Sequence, residues 1–408
     1  MNPKTHPHPE LLKNLPPEVK TLFKVFNDEI RLVGGSVRDS LLKNEVKDYD
    51  FATTFLPEQI IQILEKNKIK AVPTGIKFGT ITAVVNRKNF EITTLRKDAE
   101  TDGRHCQPEF IDDYFFDAAR RDFTINALYL DEAGFVYDYF DGITDLKNQQ
   151  VRFIGDAQER IKEDFLRILR FFRFSGRYAS KLDPKGLDAC ENQKENIKKL
   201  SRERVRAEFL KMISGTEKDN LITILKTLKT AKISDEIFSS ELDIYGLDRL
   251  FEIAEKLQFS ANLNLKIATL FLQKNLDLKI FFTEICATNL EKKYFTFLLL
   301  KNDQAFDLPA LKKLLAFEEK SLILDLYLFS LVKNSEEIKL SEVRENIKFL
   351  QEFILPNFPL TSADLMQMGF AGRDLGEAIQ RTKMLWVESD FKIEGGELLR
   401  LLLEKSKI

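Results

Sequence analysis

The hydrophobic pattern changes once along the chain, near residue 150, and this change constrains the fold more than any other feature. Before it, the apolar runs Arg31–Val33 and Tyr49–Thr53 predict strands, and Thr80–Val85 with Phe90–Leu95 predicts a hairpin. After it, apolar residues recur every three or four positions, which is typical of amphipathic helices. The predicted helices are Glu163–Tyr178, Leu200–Ile213, Leu247–Leu257, Leu263–Leu272 and Leu311–Val332. The pattern indicates an α+β fold, in which a head with a mixed sheet precedes an all-α region.

Cysteine and histidine usage limits the possible chemistry. The three cysteines, Cys106, Cys190 and Cys286, are too far apart for a CxxC metal site or a disulfide framework, which favours a reducing, cytoplasmic location. None of the three histidines lies beyond residue 105, so the last three quarters of the chain lacks a His-rich metal site or a Ser-His-Asp triad. We expect carboxylates, arginines and glycines to perform any chemistry.

Location and charge add two further expectations. The chain has no apolar run of the roughly 18 residues that a membrane helix needs, and its first residues, with His6 and His8, indicate a disordered terminus without a secretory signal. The net charge is −2, yet residues 151–215 contain 16 Lys and Arg against 10 Asp and Glu. A polyanion is expected to lie against that segment.

A glycine pair follows the first predicted strand. Gly34 and Gly35 would let a turn approach a phosphate closely at the start of a helix, which Ser36 could cap. Arg38 stands one turn further on and could reach a triphosphate oxygen.

Three carboxylates follow in the head. Asp48 and Asp50 stand two positions apart, so both would lie on one face of a strand, where they could share Mg²⁺. Glu91, on a later strand, could complete the site. A DxD pair by itself is more often a polar turn, and its place after the glycine pair favours the metal interpretation.

Two arginine clusters follow. Arg120 and Arg121 with Asp122 offer a fork for phosphate and an acceptor for a ribose hydroxyl, although alone they would be surface ion pairs. Asp164 stands one turn before Arg167 in a predicted helix, where the alternative is a ladder of ion pairs. Cytosine and adenine each present an amino donor beside a ring-nitrogen acceptor. An Asp that accepts and an Arg that donates would therefore select C and A against U and G.

Seven ordered segments between residues 32 and 178 resemble the class II tRNA nucleotidyltransferase and bacterial poly(A) polymerase family, within the DNA-polymerase-β-like superfamily. They are LVGGSVRD, DYDFATT, TGIKFGTIT, FEITTLR, RRDFTINALYLD, DYFDGITDL and EDFLRILRFFRF. Farther on, residues 201–209 and LTSADLMQMGFAGRDLGEAI resemble later family segments more thinly. Phe78 departs from the histidine that many members have there.

The resemblance implies a nucleotidyltransferase head at 1–147, a neck at 148–215, a body at 216–355 and a tRNA-binding tail at 356–408, the last three all helical. It implies addition of C, C and A to the tRNA 3′ end from CTP and ATP, and it does not imply an obligate protein partner. The residues expected to hold Mg²⁺ are Asp48 and Asp50, with Glu91 as the third catalytic carboxylate. The residues expected to contact the nucleotide are Gly34, Gly35, Arg38, Arg121, Asp122, Asp164, Arg167, Arg170 and Arg173.

Family members differ in what they add. The segment Arg96–Asp117 is long and polar, like the flexible loop of CCA-adding and A-adding members, and this argues against a CC-only enzyme. The sequence ends without the basic tail of many poly(A) polymerases. CCA addition is therefore the expected activity, and the alternatives are an A-adding enzyme, a poly(A) polymerase, or an RNA-binding protein on an inactive fold.

Overall fold

The structure, a computed structural model, describes residues 2–27, 29–97, 109–271, 276–301, 306–334 and 339–405. The chain divides into two compact units, Met1–Ile237 and Phe238–Ile408. The first unit contains all of the predicted head and neck. The division into four domains is finer than these two units and stays a prediction.

The first unit is built on a mixed sheet of eight strands. The strands of the first unit are β1 (Lys4–Pro7), β2 (Ile30–Val33), β3 (Asp50–Thr53), β4 (Lys70–Gly75), β5 (Thr80–Val85), β6 (Lys88–Thr94), β7 (Arg96–Lys97), β8 (Glu109–Phe110), β9 (Leu128–Leu130) and β10 (Phe135–Asp138). The sheet order is β1-β10-β9-β2-β3-β6-β5-β4, and β7 pairs separately with β8. Strands β3 and β6 are parallel, and the other neighbours in the large sheet are antiparallel. The predicted mixed sheet is confirmed.

The helices of the first unit cover the sheet and continue beyond it. They are α1 (Pro17–Val25), α2 (Gly35–Leu41), α3 (Pro57–Lys66), α4 (Tyr114–Ala119), α5 (Gly142–Lys147), α6 (Ala157–Glu163), α7 (Leu166–Tyr178), α8 (Pro184–Gln193), α9 (Arg202–Gly215), α10 (Lys218–Thr230) and α11 (Ser234–Ile237). No strand follows Asp138 in the part of the chain that the structure describes. The change from sheet to helix lies where the hydrophobic pattern predicts it, so the α+β fold is confirmed.

Each face of the sheet packs into its own apolar cluster. Leu32 and Phe51 belong to the larger cluster, which α1 and α3 complete, because alternate residues of a strand point to the same face. Val33, Ala52 and Tyr129 point to the opposite face and pack with residues of α4 in a smaller cluster. A polar residue two positions from Val33, Ala52 or Tyr129 on the same strand therefore points to this second face, which α4 only partly covers.

The second unit is helical throughout its described residues. Its helices are α12 (Ile244–Leu257), α13 (Leu263–Leu270), α14 (Leu278–Glu284), α15 (Asn289–Lys301), α16 (Leu308–Leu315), α17 (Lys320–Lys333), α18 (Leu340–Glu352), α19 (Ser362–Gln367), α20 (Gly372–Glu388) and α21 (Gly395–Lys405). The predicted single helix Leu311–Val332 is wrong, because the chain turns between α16 and α17. Ala316 is buried within that turn, so the apolar spacing continues through it. No described helix is both long and apolar enough to cross a bilayer.

Two expectations about irregular segments are also corrected. The N-terminal segment is not disordered, since β1 pairs antiparallel with β10 and places His6 opposite Val136. The predicted loop Arg96–Asp117 is partly regular, because it contains the paired strands β7 and β8 and its last residues belong to α4. Its residues 98–108, with His105 and Cys106, lie outside the described residues.

Candidate active site

The residues Asp50 and Glu91 lie side by side on the less covered face of the sheet. Asp50 is the first residue of β3, and the parallel register places it opposite Glu91 of β6. Their neighbours Phe51 and Ile92 point into the larger core, so both carboxylates point the other way. Although residue Asp50 is exposed, desolvation of its carboxyl group and the charge of Glu91 raise its pKa to about 6, against the opposing charge of Arg121. The pair concentrates negative charge at this point.

Asp48 does not lie on the strand. Because β3 starts at Asp50, the predicted placement of both aspartates on one strand face is wrong for Asp48, which lies in exposed irregular chain. Its charge nevertheless contributes to the raised pKa of Asp50, so it lies within electrostatic range. Among the described residues, no group of three or more His, Cys, Asp and Glu is arranged to hold a metal ion. The structure brings Asp50 and Glu91 together, with Asp48 nearby.

The residues Asp50 and Glu91 fit a divalent cation. Hard cations such as Mg²⁺ prefer carboxylate oxygens, and usually bind through one or two of them together with substrate phosphates. Besides desolvation, repulsion from Glu91 and Asp48 raises the pKa of Asp50, and a cation between the carboxylates would reverse this repulsion. The donor set and the charge both suit such an ion.

The turn between β2 and α2 lies against Arg121 and Asn126, and it requires glycine at its first position. Gly34 has a φ of 70°, in the region that side chains disfavour, and caps α2. A Cβ at Gly34 would lie 3.3 Å from Nη1 of Arg121 and 3.4 Å from the carbonyl of Asn126. The predicted cap by Ser36 is wrong, since its hydroxyl donates to the carbonyl of Val33. Gly34 thus allows the β2–α2 turn to lie directly on Arg121.

Arg38 is held in the protein rather than extended. Its Nε and Nη2 donate to Asp39 at 3.0 and 2.9 Å, and Nη1 donates to Asn126. The guanidinium lies 4.2 Å from the ring centre of Tyr178, whose hydroxyl also donates to Asp39. Three of the five N–H groups of the guanidinium are therefore engaged. Arg38 therefore places a fixed positive charge in the wall of the site. Its expected contact with a triphosphate stays a prediction.

Asp117 organises the arginine pair, and sequence reasoning did not assign it a role. Its side chain is 1% exposed and accepts hydrogen bonds from Arg120, Arg121 and the hydroxyl of Tyr129. Burial opposes its ionisation, but the charges of Arg121 and Arg120 outweigh burial and lower its pKa to about 2. Arg120 and Arg121 stand three and four positions after Asp117, and this spacing on a helix could have predicted both ion pairs. This carboxylate fixes both arginines at the site.

Asp122 joins the arginine pair to the helices that follow. One of its oxygens accepts from the backbone of Phe123 and from Asn126, and the other accepts from Arg170 at 2.7 Å. Asp122 is buried, and its predicted role as acceptor for a ribose hydroxyl would have to share these bonds. Arg173, one turn beyond Arg170, pairs with Glu208 of α9 at 2.6 Å.

The expected base-selecting segment is not one continuous helix. Helix α6 ends at Glu163, Asp164 has an extended backbone, and α7 begins at Leu166. The predicted helix Glu163–Tyr178 is wrong here because the Asp164 side chain accepts from the backbone N–H of Leu166 and starts a new helix. Arg167 pairs with Glu163 at 2.5 Å, whereas Asp164 pairs with Arg204 of α9 at 2.8 Å.

Arg167 also reaches the head segment. Its guanidinium donates to the carbonyl of Arg160 at 2.7 Å and to the carbonyl of Arg120 at 3.2 Å. Arg160 in turn donates to the carbonyl of Arg121 at 2.8 Å. The helices α6 and α7 are therefore bonded to the backbone of the arginine pair.

These groups surround one cavity of about 500 Å³ within the first unit. The predicted residues in its wall are Gly34, Gly35, Arg38, Asp50, Arg121, Asp122, Asp164, Arg167, Arg170 and Arg173. Asp48 and Glu91 do not line it. The wall also contains Arg120, which the sequence analysis paired with Arg121, and it contains Asn126, Phe174 and Arg204, which were not predicted as site residues. The cavity is thus strongly cationic, with carboxylates at separate positions in its wall.

Comparison with known proteins agrees with this architecture. The family model for the poly A polymerase head domain matches residues 30–152, and the model for a probable RNA and SrmB-binding site of polymerase A matches residues 181–238. The human mitochondrial CCA tRNA nucleotidyltransferase 1 is 34% identical over 402 residues, covering 93% of this chain and 88% of the human protein.

Two solved structures share the fold. The CCA-adding enzyme of Bacillus stearothermophilus, in complex with CTP, has a TM-score of 0.75 at 22% identity, with 96% of this chain and 98% of that chain covered. The Thermotoga maritima enzyme, complexed with tRNA, has a TM-score of 0.66 at 19% identity, with 99% and 100% covered. Together with the fold, the head-domain match and the human relative define a protein of the nucleotidyltransferase type. Within that type, the chain belongs to the class II tRNA nucleotidyltransferase and poly(A) polymerase family.

Proposed function

We propose that this protein adds C, C and A to the 3′ end of tRNA from CTP and ATP, releasing pyrophosphate without a nucleic-acid template. The observation that supports this most directly is the position of Asp164 and Arg167 in the wall of the same cavity as the β2–α2 turn and Asp50. A nucleotide in this cavity would have its phosphates near the cationic wall and the carboxylates, and its base near α7. The human relative covering nearly the whole chain bears the name of this activity.

Base choice would come from Asp164 and Arg167. The carboxylate of Asp164 accepts from an exocyclic amino group, and the guanidinium of Arg167 donates to the adjacent ring nitrogen. Uracil and guanine carry the reverse donor and acceptor at these positions. Either of those bases would leave buried polar groups unpaired, which costs roughly 1–3 kcal/mol for each group.

Transfer of the nucleotide to the tRNA 3′ end would occur beside the carboxylates of the sheet. Asp50, with Asp48 and Glu91 beside it, would hold Mg²⁺. When bound, the ion activates the attacking 3′ hydroxyl and neutralises the leaving pyrophosphate. Asp50 orients the reacting groups on the sheet, while Arg121, fixed by Asp117, holds positive charge at the cavity wall.

We assign tRNA binding to the helical part of the chain. The basic segment 151–215 would contact phosphates beside the cavity, and the tail at 356–408 would extend that contact. The proposal requires an affinity that falls steeply with salt, because each neutralised phosphate releases counterions. A flat dependence of tRNA affinity on salt concentration would contradict it.

A cytoplasmic location is part of the proposal. It is supported by Cys190, which is a buried thiol. Fractionation of the source cells with compartment markers tests it, since the related human enzyme is named as mitochondrial.

The test uses three tRNA transcripts that end before CCA, after C and after CC. Each is incubated with the purified protein and Mg²⁺, with CTP and ATP supplied singly and together, and products are resolved to one nucleotide. We expect extension of all three to a complete CCA and no further. Addition of A to the CC-ended transcript alone would identify an A-adding enzyme. Long A tracts on any RNA would identify a poly(A) polymerase, and inactivity throughout would favour an RNA-binding protein.

A further inference from the structure

The carboxylate of Asp164 is held from two sides. Its Oδ1 accepts from the backbone N–H of Leu166 at 3.1 Å, which ties the side chain to the start of α7. Its Oδ2 accepts from Nη2 of Arg204 at 2.8 Å. The two oxygens are therefore fixed by different elements, and the rotation of the side chain is restricted at both.

Arg204 approaches Asp164 from a separate helix. It lies in the first turn of α9, where its backbone N–H donates to the capping Ser201. Its side chain is half exposed and lines the cavity, so it is accessible to the same solvent and ligand as Asp164. Arg204 and Asp164 are 40 positions apart in sequence, and their contact depends on the packing of α9 against α7.

We propose that Arg204 is a positioning residue for base selection, a role that rests on the proposed function. A carboxylate oxygen can accept two hydrogen bonds. Arg204 takes one position on Oδ2 and leaves capacity for the amino group of cytosine or adenine. By fixing the carboxylate, Arg204 sets the orientation in which Asp164 meets the base edge, without itself replacing Arg167 as the donor to the ring nitrogen.

The solvent exposure of Arg204 and Asp164 indicates that their ion pair does not serve mainly to stabilise the fold. The two side chains are 50% and 35% exposed, and ion pairs with such access to water contribute little to stability. The pairs that Asp117 and Asp122 form with arginines differ, because these two carboxylates are almost completely buried. Loss of Arg204 should therefore change the selection of nucleotides much more than it changes folding.

The experiment measures kcat/KM for CTP, ATP, UTP and GTP on the three tRNA transcripts with Arg204→Ala and Arg204→Lys. In Arg204→Ala we expect kcat/KM for CTP and ATP to fall about tenfold, as for loss of one charge-assisted hydrogen bond, while the values for UTP and GTP stay within about twofold. Discrimination then falls about tenfold. Arg204→Lys should recover part of it, the melting temperature should stay unchanged, and the charge-matched Lys66→Ala in α3 should behave as the wild type.

A double-mutant cycle identifies the partner. If Arg204 acts through Asp164, adding Arg204→Ala to Asp164→Asn should change discrimination by less than about twofold. Equal losses for all four nucleotides, or full additivity with Asp164→Asn, would overturn the proposal and leave Arg204 as a general phosphate contact. Failure of the proposed function would show differently, as wild-type protein that extends no transcript with CTP, and the role of Arg204 would be refuted with it.

Discussion

The Nε and Nη2 atoms of Arg170 lie 2.7 and 2.6 Å from one carboxylate oxygen of Asp122. Asp122 directly follows the arginine pair of the head, whereas Arg170 lies on α7, so this pair joins two walls of the cavity. Burial opposes ionisation of Asp122, but the charge of Arg170 outweighs it and lowers the pKa of Asp122 below its usual range. The pair fixes the distance between the head segment that carries Asp122 and helix α7 in the cavity wall.

Breaking this pair should therefore reduce both stability and nucleotide binding. Removing one partner of a buried ion pair leaves the other charge uncompensated, and we expect Arg170→Ala or Asp122→Ala to lower the free energy of unfolding by about 3–5 kcal/mol. Urea unfolding measures this loss, and CTP titration measures the weaker binding. The double variant Asp122→Ala, Arg170→Ala should lose less than the sum of the single losses. Strict additivity would mean that the two side chains act independently.

Asp117 should make stability depend on pH in the acid range. Its pKa is about 2 in the folded protein against 3.8 as its ordinary value, so its ionised form stabilises the fold above pH 3.8 and this contribution is lost as pH falls toward 2. The shift corresponds to about 2 kcal/mol. Asp117→Asn should therefore be destabilised at neutral pH, and its deficit in urea unfolding should shrink below pH 4. A deficit that is constant with pH would contradict the assignment.

Local sequence patterns predicted the strands of the head whose apolar residues are β-branched, and the turns whose residue types favour a tight connection. The hairpin between β5 and β6 is an example, although its turn is tighter than expected. The strand β6 starts at Lys88, and Asn86 and Arg87 form a two-residue turn with φ of 50° and 65°, as in a type I′ turn. Strands β1 and β10 were missed because their pairing joins segments that are more than 120 residues apart.

Sequence reasoning found the residue types of the site but not their pairing. Asp164 and Arg167 were expected one turn apart in a single helix, both meeting the base edge, and the alternative was a ladder of ion pairs on that helix. In the structure Asp164 interrupts the helix, and each residue takes a partner from elsewhere, Arg204 from α9 and Glu163 from α6. Arg204 could not be predicted as a partner because only the packing of α9 on α7 brings it there.

Asp50 should be needed for transfer but not for nucleotide binding. Asp50→Asn keeps the size of the side chain and removes the charge that would hold Mg²⁺ opposite Glu91. We expect kcat to fall at least about a thousandfold, equivalent to roughly 4 kcal/mol of transition-state stabilisation. The affinity for CTP, measured by titration without turnover, should change by less than about threefold. Near-normal turnover in Asp50→Asn would refute the metal assignment.

Arg167 should control base choice, and its ion pair with Glu163 should hold the guanidinium in the position that this requires. The Arg167 side chain is 11% exposed, and Glu163 at 2.5 Å and the carbonyl of Arg120 at 3.2 Å hold it against the head. Removing the guanidinium in Arg167→Ala takes away the donor to the ring nitrogen, so kcat/KM for CTP and ATP should fall while rejection of UTP and GTP weakens. Glu163→Gln keeps the guanidinium but weakens its anchor, and we expect the same change in discrimination at about a third to a tenth of the size.

The comparison with Arg167→Lys completes this prediction. Lysine keeps the positive charge but lacks the planar fork that can bond Glu163 and a base at once. Its discrimination between CTP and UTP should therefore resemble that of Arg167→Ala, while its overall kcat/KM should lie closer to the wild type. Competition assays with mixed CTP and UTP on the transcript that ends before CCA give the ratio directly. If Arg167→Lys rejects UTP as well as the wild type does, charge alone is sufficient, and Arg167 does not read the base edge.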